Sequence, residues 1–299
     1  MGGALRLDAN RSMAFSRLFS SSVFKEMAGT GRSPLFARLV RQSFSDTEQS
    51  QIQSVGDAFN YAFGWLSAHA NRDEYVYKAA ITQRILLGRH SLRSACMLNE
   101  FRVGLCKVDL AILNGTATAY EIKSERDGLG RLKRQLDAYQ LVFPRRFVIA
   151  GENHIDGVLQ STGADVGVLM LSSRYRISTI RDATERMDLI QSATLFDTLR
   201  IDEAIKILNY RNIEIPVVPN TRIRGELREI FTGFAAREIY PTFVKVLKES
   251  RSLASLEDLL GNMPRSLHAA ALTIRVKPAE HKNLLGAINS TFVDALGWA

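Results

Sequence analysis

Between Asn99 and Gly151 the chain places ionisable residues inside strand-like apolar runs, and this constrains it more than any other feature. Residues 107–113 and 117–123 alternate in hydropathy and are joined across Asn114-Gly115, the short-range signal most indicative of a β-hairpin. Asp109 interrupts the first run, and Glu121 and Lys123 interrupt the second. Strands in an α/β core read almost wholly apolar, and an ionisable group there is costly unless something pairs with it. Three such groups in one hairpin mark a site.

The surroundings read as alternating strands and helices. Ser45-x-x-Glu48 is a capping-box pattern, and Ile52, Val55, Phe59, Phe63 and Leu66 follow it at helical spacing. A second helix is expected from Asn71 to about Leu87, with Glu74 in its first turn; Glu74 either completes a cap or points at the hairpin. Strands follow at 97–103, 107–113 and 117–123, then a helix over 127–142 whose apolar stripe is Leu129, Leu132, Leu136, Tyr139 and Phe143. Strands at 147–150 and 166–171 flank a short helix at 155–161. Such alternation implies an α/β layer built on a mixed sheet. Beyond Arg181 the pattern is helical, with segments at 182–193, 195–200, 201–210 and 222–249, the last interrupted at Pro241. The expected division is an N-terminal helical arm at 1–70, an α/β core at 71–180 and a helical C-terminal domain at 181–299.

A net charge of +8 favours a polyanionic partner, nucleic acid first. No apolar run approaches the roughly 20 residues of a membrane span, so no membrane role is expected. The two cysteines, Cys96 and Cys106, have no metal-ligand spacing and read as reduced thiols of a cytoplasmic protein. There is no Gly-x-Ser-x-Gly, no P-loop and no Gly-x-Gly-x-x-Gly, which removes the common hydrolase, kinase and dinucleotide classes.

What remains is chemistry at Asp109, Glu121 and Lys123. Glu121 and Lys123 are two apart on one strand and share a face. Asp109 joins them only if the turn is odd-numbered. A two-residue turn sets Asp109 opposite Tyr120, whereas a loop of 114–116 or a bulge sets it opposite Glu121. Two carboxylates suit a hard divalent cation, with water and phosphate oxygens completing its shell, and an ammonium beside them stabilises charge on a reacting phosphate. On the next helix, Gln135 and Tyr139 share a face, and Arg131, Lys133 and Arg134 supply cations for phosphates.

Asp109, then Glu121-Ile122-Lys123, then Gln135-x-x-x-Tyr139 resembles the PD-(D/E)XK, restriction-endonuclease-like nuclease superfamily, in the branch containing RecB-type nuclease domains. Val108 stands where the superfamily name has proline. The resemblance covers about 50 residues and extends back to the helix expected at 71. It implies a restriction-endonuclease-like core, a mixed central sheet flanked by helices, and metal-dependent hydrolysis of nucleic acid, DNA before RNA. Asp109, Glu121 and Ile122 would hold Mg²⁺ or Mn²⁺, Lys123 would be the catalytic lysine, and Gln135 and Tyr139 would support the site. Glu74 would be the acidic residue of the first helix, with Glu100 a lower-ranked competitor. A bacterial setting of defence or mobile elements goes with that resemblance. The alternative is an idle nuclease fold acting as a nucleic-acid-binding or adaptor module. Either way the C-terminal helices are left as a surface for a protein partner or a second copy.

Overall fold

The computed structural model describes residues 2–68 and 72–299, without the side chains of 2–8. The chain packs as two compact units, Met1–Arg89 with Ser173–Arg176 and Ser255–Ala299, and His90–Ser172 with Ile177–Ala254. This packing divides the chain differently from three consecutive segments: 177–254 joins the sheet and 255–299 joins the N-terminal helices. No helix among the described residues is long and apolar enough to cross a membrane.

The first unit is helical. Helices Gly2–Leu18 and Ser21–Thr30 are separated at Ser20, whose hydroxyl accepts from the Val23 amide and so starts a new helix. Pro34–Ser43 follows, with proline in its first turn. The Ser45–Glu48 capping box forms, but it opens only the four-residue helix Asp46–Gln49; the apolar stripe lies on Val55–Ala68. Aromatic rings fill this core, including Phe15 edge-on to Trp65 and Phe44 tilted against Phe292. The Val55 amide donates to the Ser290 carbonyl and the Phe292 amide to that of Gln53. That pairing draws the C-terminal segment into this unit.

Arg11 and Tyr61 both donate to the Glu48 carboxylate. Burial pushes the Glu48 carboxyl up, but Arg11, Tyr61 and Ser45 outweigh it and bring it down to about 2. A depressed carboxyl stabilises the fold above its unfolded pKa, and that contribution disappears as pH falls through the folded value. Unfolding free energy followed by urea titration should therefore decline between about pH 4.5 and pH 2. Glu48→Gln should remove this component of the decline.

The second unit contains one six-stranded mixed sheet in the order β1-β2-β3-β4-β5-β6. Its strands are β1 (Cys96–Val103), β2 (Cys106–Asn114), β3 (Thr116–Lys123), β4 (Arg145–Gly151), β5 (Gly167–Leu171) and β6 (Ile177–Arg181). The pairs β1–β2, β2–β3 and β5–β6 are antiparallel, and β3–β4 and β4–β5 are parallel. The mixed α/β architecture matches the sequence reading, with helices on the sheet and helical segments at both ends of the chain. β6 was not expected. Its burial is shallow, so it carries little of the apolar signal by which a strand is read.

Two helical expectations are corrected. Residues 182–193 are largely irregular, with a short 3₁₀ turn at Met187–Leu189. The 222–249 segment breaks not at Pro241 but at Gly233–Ala235, between Asn220–Thr232 and Ala236–Ser250. The Gly233 amide closes the first of these by donating to Glu229 and Ile230, and Pro241 lies within the second. Helices from 201 onward bury Ile207, Leu208, Phe231, Phe243 and Leu247 in the same core as Leu98, Val108 and Tyr139. Gly167 begins β5 where an added Cβ would run into the Phe147 ring, itself stacked on Tyr120. Gly167→Val should therefore cost about 1–3 kcal/mol of stability in urea unfolding, as overpacking of a filled core does.

Candidate active site

The β2–β3 turn is odd-numbered. Asn114 pairs with Thr116 across Gly115, whose φ of +72° favours glycine, and the register runs to Leu110↔Tyr120. Continued one step, it sets Asp109 level with Glu121. The strands do not continue regularly, however. On the face that packs against the Leu132–Tyr139 helix, β2 contributes Leu113 and Ala111, then Val108 and Cys106. β1 contributes Cys96 and Leu98, then Phe101 and Val103. Both strands lose the strict alternation at one level, between Asn99↔Leu110 and Phe101↔Val108, where Glu100 lies opposite Asp109. Glu100 absorbs the change with φ of +49°, a left-handed conformation that costs a non-glycine residue on the order of 1 kcal/mol.

This paired irregularity places the Asp109 carboxylate. The Ile122 amide donates to Asp109 Oδ2 at 2.7 Å, so the side chain takes up a backbone donor of β3 between Glu121 and Lys123. Asp109 is also close enough to Tyr139 to affect its hydroxyl electrostatically.

Glu121 and Lys123 face the helix, as their two-residue spacing requires, and are 1% and 5% exposed. Lys123 Nζ donates to Glu121 Oε1 at 2.8 Å and to Gln135 Oε1 at 3.0 Å. The Tyr139 oxygen lies 2.8 Å from Glu121 Oε2 and 2.5 Å from the Lys107 carbonyl oxygen. One hydroxyl proton cannot serve both acceptors. The Tyr139 hydroxyl donates to one or the other, the Glu121 carboxylate that is ion-paired with Lys123 or the Lys107 carbonyl. Burial raises the Glu121 carboxyl from its ordinary value, against the opposing pull of Lys123, Tyr139 and Gln135. Burial, together with the charges of Glu121 and Asp109, holds the Tyr139 hydroxyl well above the ordinary phenol range.

The structure thus brings together Asp109, Glu121, Ile122, Lys123, Gln135 and Tyr139. Arg131, Lys133 and Arg134 are exposed on or beside the same helix. Glu100 is turned to Lys107, with Nζ to Oε2 at 2.7 Å. Glu74 belongs to the other unit, where it forms an i,i+4 ion pair with Lys78. The Asn71 cap expected for its helix lies outside the described residues; Asp73 caps Glu74–Ile81 by accepting from Val76.

Two carboxylates and the Ile122 carbonyl are hard oxygen donors of the kind Mg²⁺ and Mn²⁺ take. Among the described residues no group of three or more Asp, Glu, His or Cys could hold a metal ion. Two carboxylates are enough for Mg²⁺, which ordinarily keeps water and phosphate in its other positions.

Two supporting features were not read from the sequence. The Lys107 carbonyl bonding Tyr139 left no trace in side-chain chemistry. The other did leave a signal: Ser124-x-x-Asp127 follows β3, and the Ser124 amide and hydroxyl donate to Asp127 Oδ2 at 2.9 and 2.6 Å. That closure fixes the chain as it leaves Lys123.

Comparison with known proteins places the chain by sequence. The curated protein cII of Enterobacteria phage P4 is 34% identical over 84 residues, which cover 27% of this chain. The match spans about a third of that relative's length (32%). A solved protein of unknown function from Silicibacter pomeroyi aligns over 49% of this chain and 77% of its own. Its identity is 19% and its TM-score 0.26, a likeness too small to argue from. The family described as Bacteriophage P4 protein cII matches residues 67–265. With more than half of its length matched, this chain belongs to the bacteriophage P4 protein cII family.

Proposed function

We infer that this protein is a divalent-metal-dependent nuclease of the PD-(D/E)XK type, hydrolysing phosphodiester bonds of nucleic acid, with DNA the preferred substrate. The observation that carries this reading is the Ile122 amide bond to Asp109, which draws an acid from β2 onto the strand segment holding Glu121 and Lys123. Asp109, Glu121 and the Ile122 carbonyl would hold Mg²⁺ or Mn²⁺. A bound ion of this kind supplies Lewis acidity to the phosphate and a water acidic enough to attack near neutral pH. Lys123 offsets negative charge developing on the phosphate oxygens, and Gln135 fixes the direction of its ammonium. Tyr139 holds Glu121 from the opposite side. The net charge of +8 and the exposed Arg131, Lys133 and Arg134 support a polyanionic substrate. The phage origin of the family name supports a mobile-element setting.

A second reading, a nucleic-acid-binding or adaptor module on an idle nuclease fold, is favoured by the saturation of Glu121, whose two oxygens are taken by Lys123 and Tyr139. One panel separates the two. Labelled single- and double-stranded DNA and RNA are incubated with Mg²⁺, with Mn²⁺ or with EDTA. Cutting in either metal and none in EDTA is expected; salt-dependent binding without cutting in any metal selects the second reading.

A further inference from the structure

Leu105 is 100% exposed and occupies the second position of the two-residue turn between β1 and β2, where Val103 pairs with Cys106. Gly104 takes the first position at φ +56°, as a tight hairpin turn with glycine leading requires. The turn therefore needs Gly104 but has no need of leucine. A side chain that touches nothing adds nothing to the core, and turn positions ordinarily carry polar residues.

Its setting is basic and adjoins the candidate active site. Arg102 and Lys107 pair across the strands just below the turn, and both are exposed. The Cys106 thiol lies 3.9 Å from the Arg134 carbonyl oxygen, which puts the backbone of the Leu132–Tyr139 helix beside the turn. That helix presents Lys133 and Arg134 to solvent. Two residues after Leu105, about 7 Å along an extended strand, the Lys107 carbonyl meets Tyr139 and through it Glu121. Lys107 is paired with Glu100, but an exposed pair of this kind is weak enough for a phosphate to displace.

We propose that the β1–β2 turn is a wedge for duplex DNA: Leu105 enters a base step while Arg102, Lys107 and Arg134 hold the flanking phosphates. Apolar side chains carried on a basic surface unstack base steps in this way, and the unstacking energy is offset by closer backbone contact. The proposal rests on the nucleic-acid reading above and extends it, because an opened step beside Tyr139 would present a distorted backbone to Asp109 and Glu121.

The test is made on the full chain in EDTA, so that it does not require cleavage. A short duplex carries 2-aminopurine, whose fluorescence rises when it unstacks, and binding is followed by anisotropy at several salt concentrations. The wild-type protein should bind and raise the 2-aminopurine signal. Leu105→Ala should bind about tenfold more weakly, the factor expected for losing one buried leucine side chain, and should lose the rise. Its salt dependence should be unchanged. Arg102→Gln should keep the rise but lower the salt slope by about one unit, as the loss of one phosphate contact does. Equal binding and equal fluorescence for wild type and Leu105→Ala would overturn the wedge, as would the absence of any rise with the wild-type protein. Circular dichroism of each variant confirms the fold. The metal panel above is judged on cleavage alone, so either result can fail without the other.

Discussion

Glu121→Ala is expected to cost roughly 3–5 kcal/mol of folding stability, the range for breaking a buried ion pair from one side. The alanine would leave Lys123, 5% exposed, with the Gln135 amide oxygen as its remaining hydrogen-bond partner among the described residues and would remove the carboxylate from Tyr139. Replacing both members, Glu121→Leu with Lys123→Met, should recover most of that loss, since well-packed apolar replacements of buried pairs are often neutral. Urea unfolding of the two variants measures this directly. The double variant also has a diagnostic use. If the pair serves only to hold the helix on the sheet, a stable double variant retains whatever activity the wild type has. If the pair is the reacting centre, the same stable protein cuts at least ~100-fold more slowly, the scale set by removing one electrostatic stabiliser.

Asp109→Asn should separate catalysis from stability in the other direction. The asparagine oxygen can still accept from the Ile122 amide, so the change exchanges a charge-assisted hydrogen bond for a neutral one. That exchange costs about 1 kcal/mol. Cleavage, by contrast, should fall by at least ~100-fold and demand more Mg²⁺, because one of two carboxylates has lost its charge. Rates measured across a Mg²⁺ titration, beside a melting curve, give both quantities. A rate unchanged at every metal concentration would remove Asp109 from the site.

These two experiments act on residues that reached the site by different routes. Glu121 with Lys123, and Gln135 with Tyr139, were legible because their geometry is local: spacings of two on a strand and four on a helix place side chains on one face wherever the element lies. The Asn-Gly hairpin was legible for the same reason, and so was the alternation of strands and helices around it. Asp109 was only conditionally legible. Its position depended on the parity of the turn, and the turn has Gly115 alone at its apex. Parity was still not sufficient, because the faces of β1 and β2 exchange at Glu100 and Asp109. A left-handed glutamate leaves no mark in hydropathy.

The sequence by itself determined which elements form around residues 96–151 and which polar side chains share a face, since propensity, periodicity and turn chemistry act over a few residues. Tertiary structure decided the rest. It tied Asp109 to the Ile122 amide, gave Tyr139 the Lys107 carbonyl, added the edge strand β6, and divided the C-terminal helices between two cores. Each of these is a contact between segments distant along the chain, chosen by competition for burial and for hydrogen-bond partners. No local pattern records the outcome of that competition.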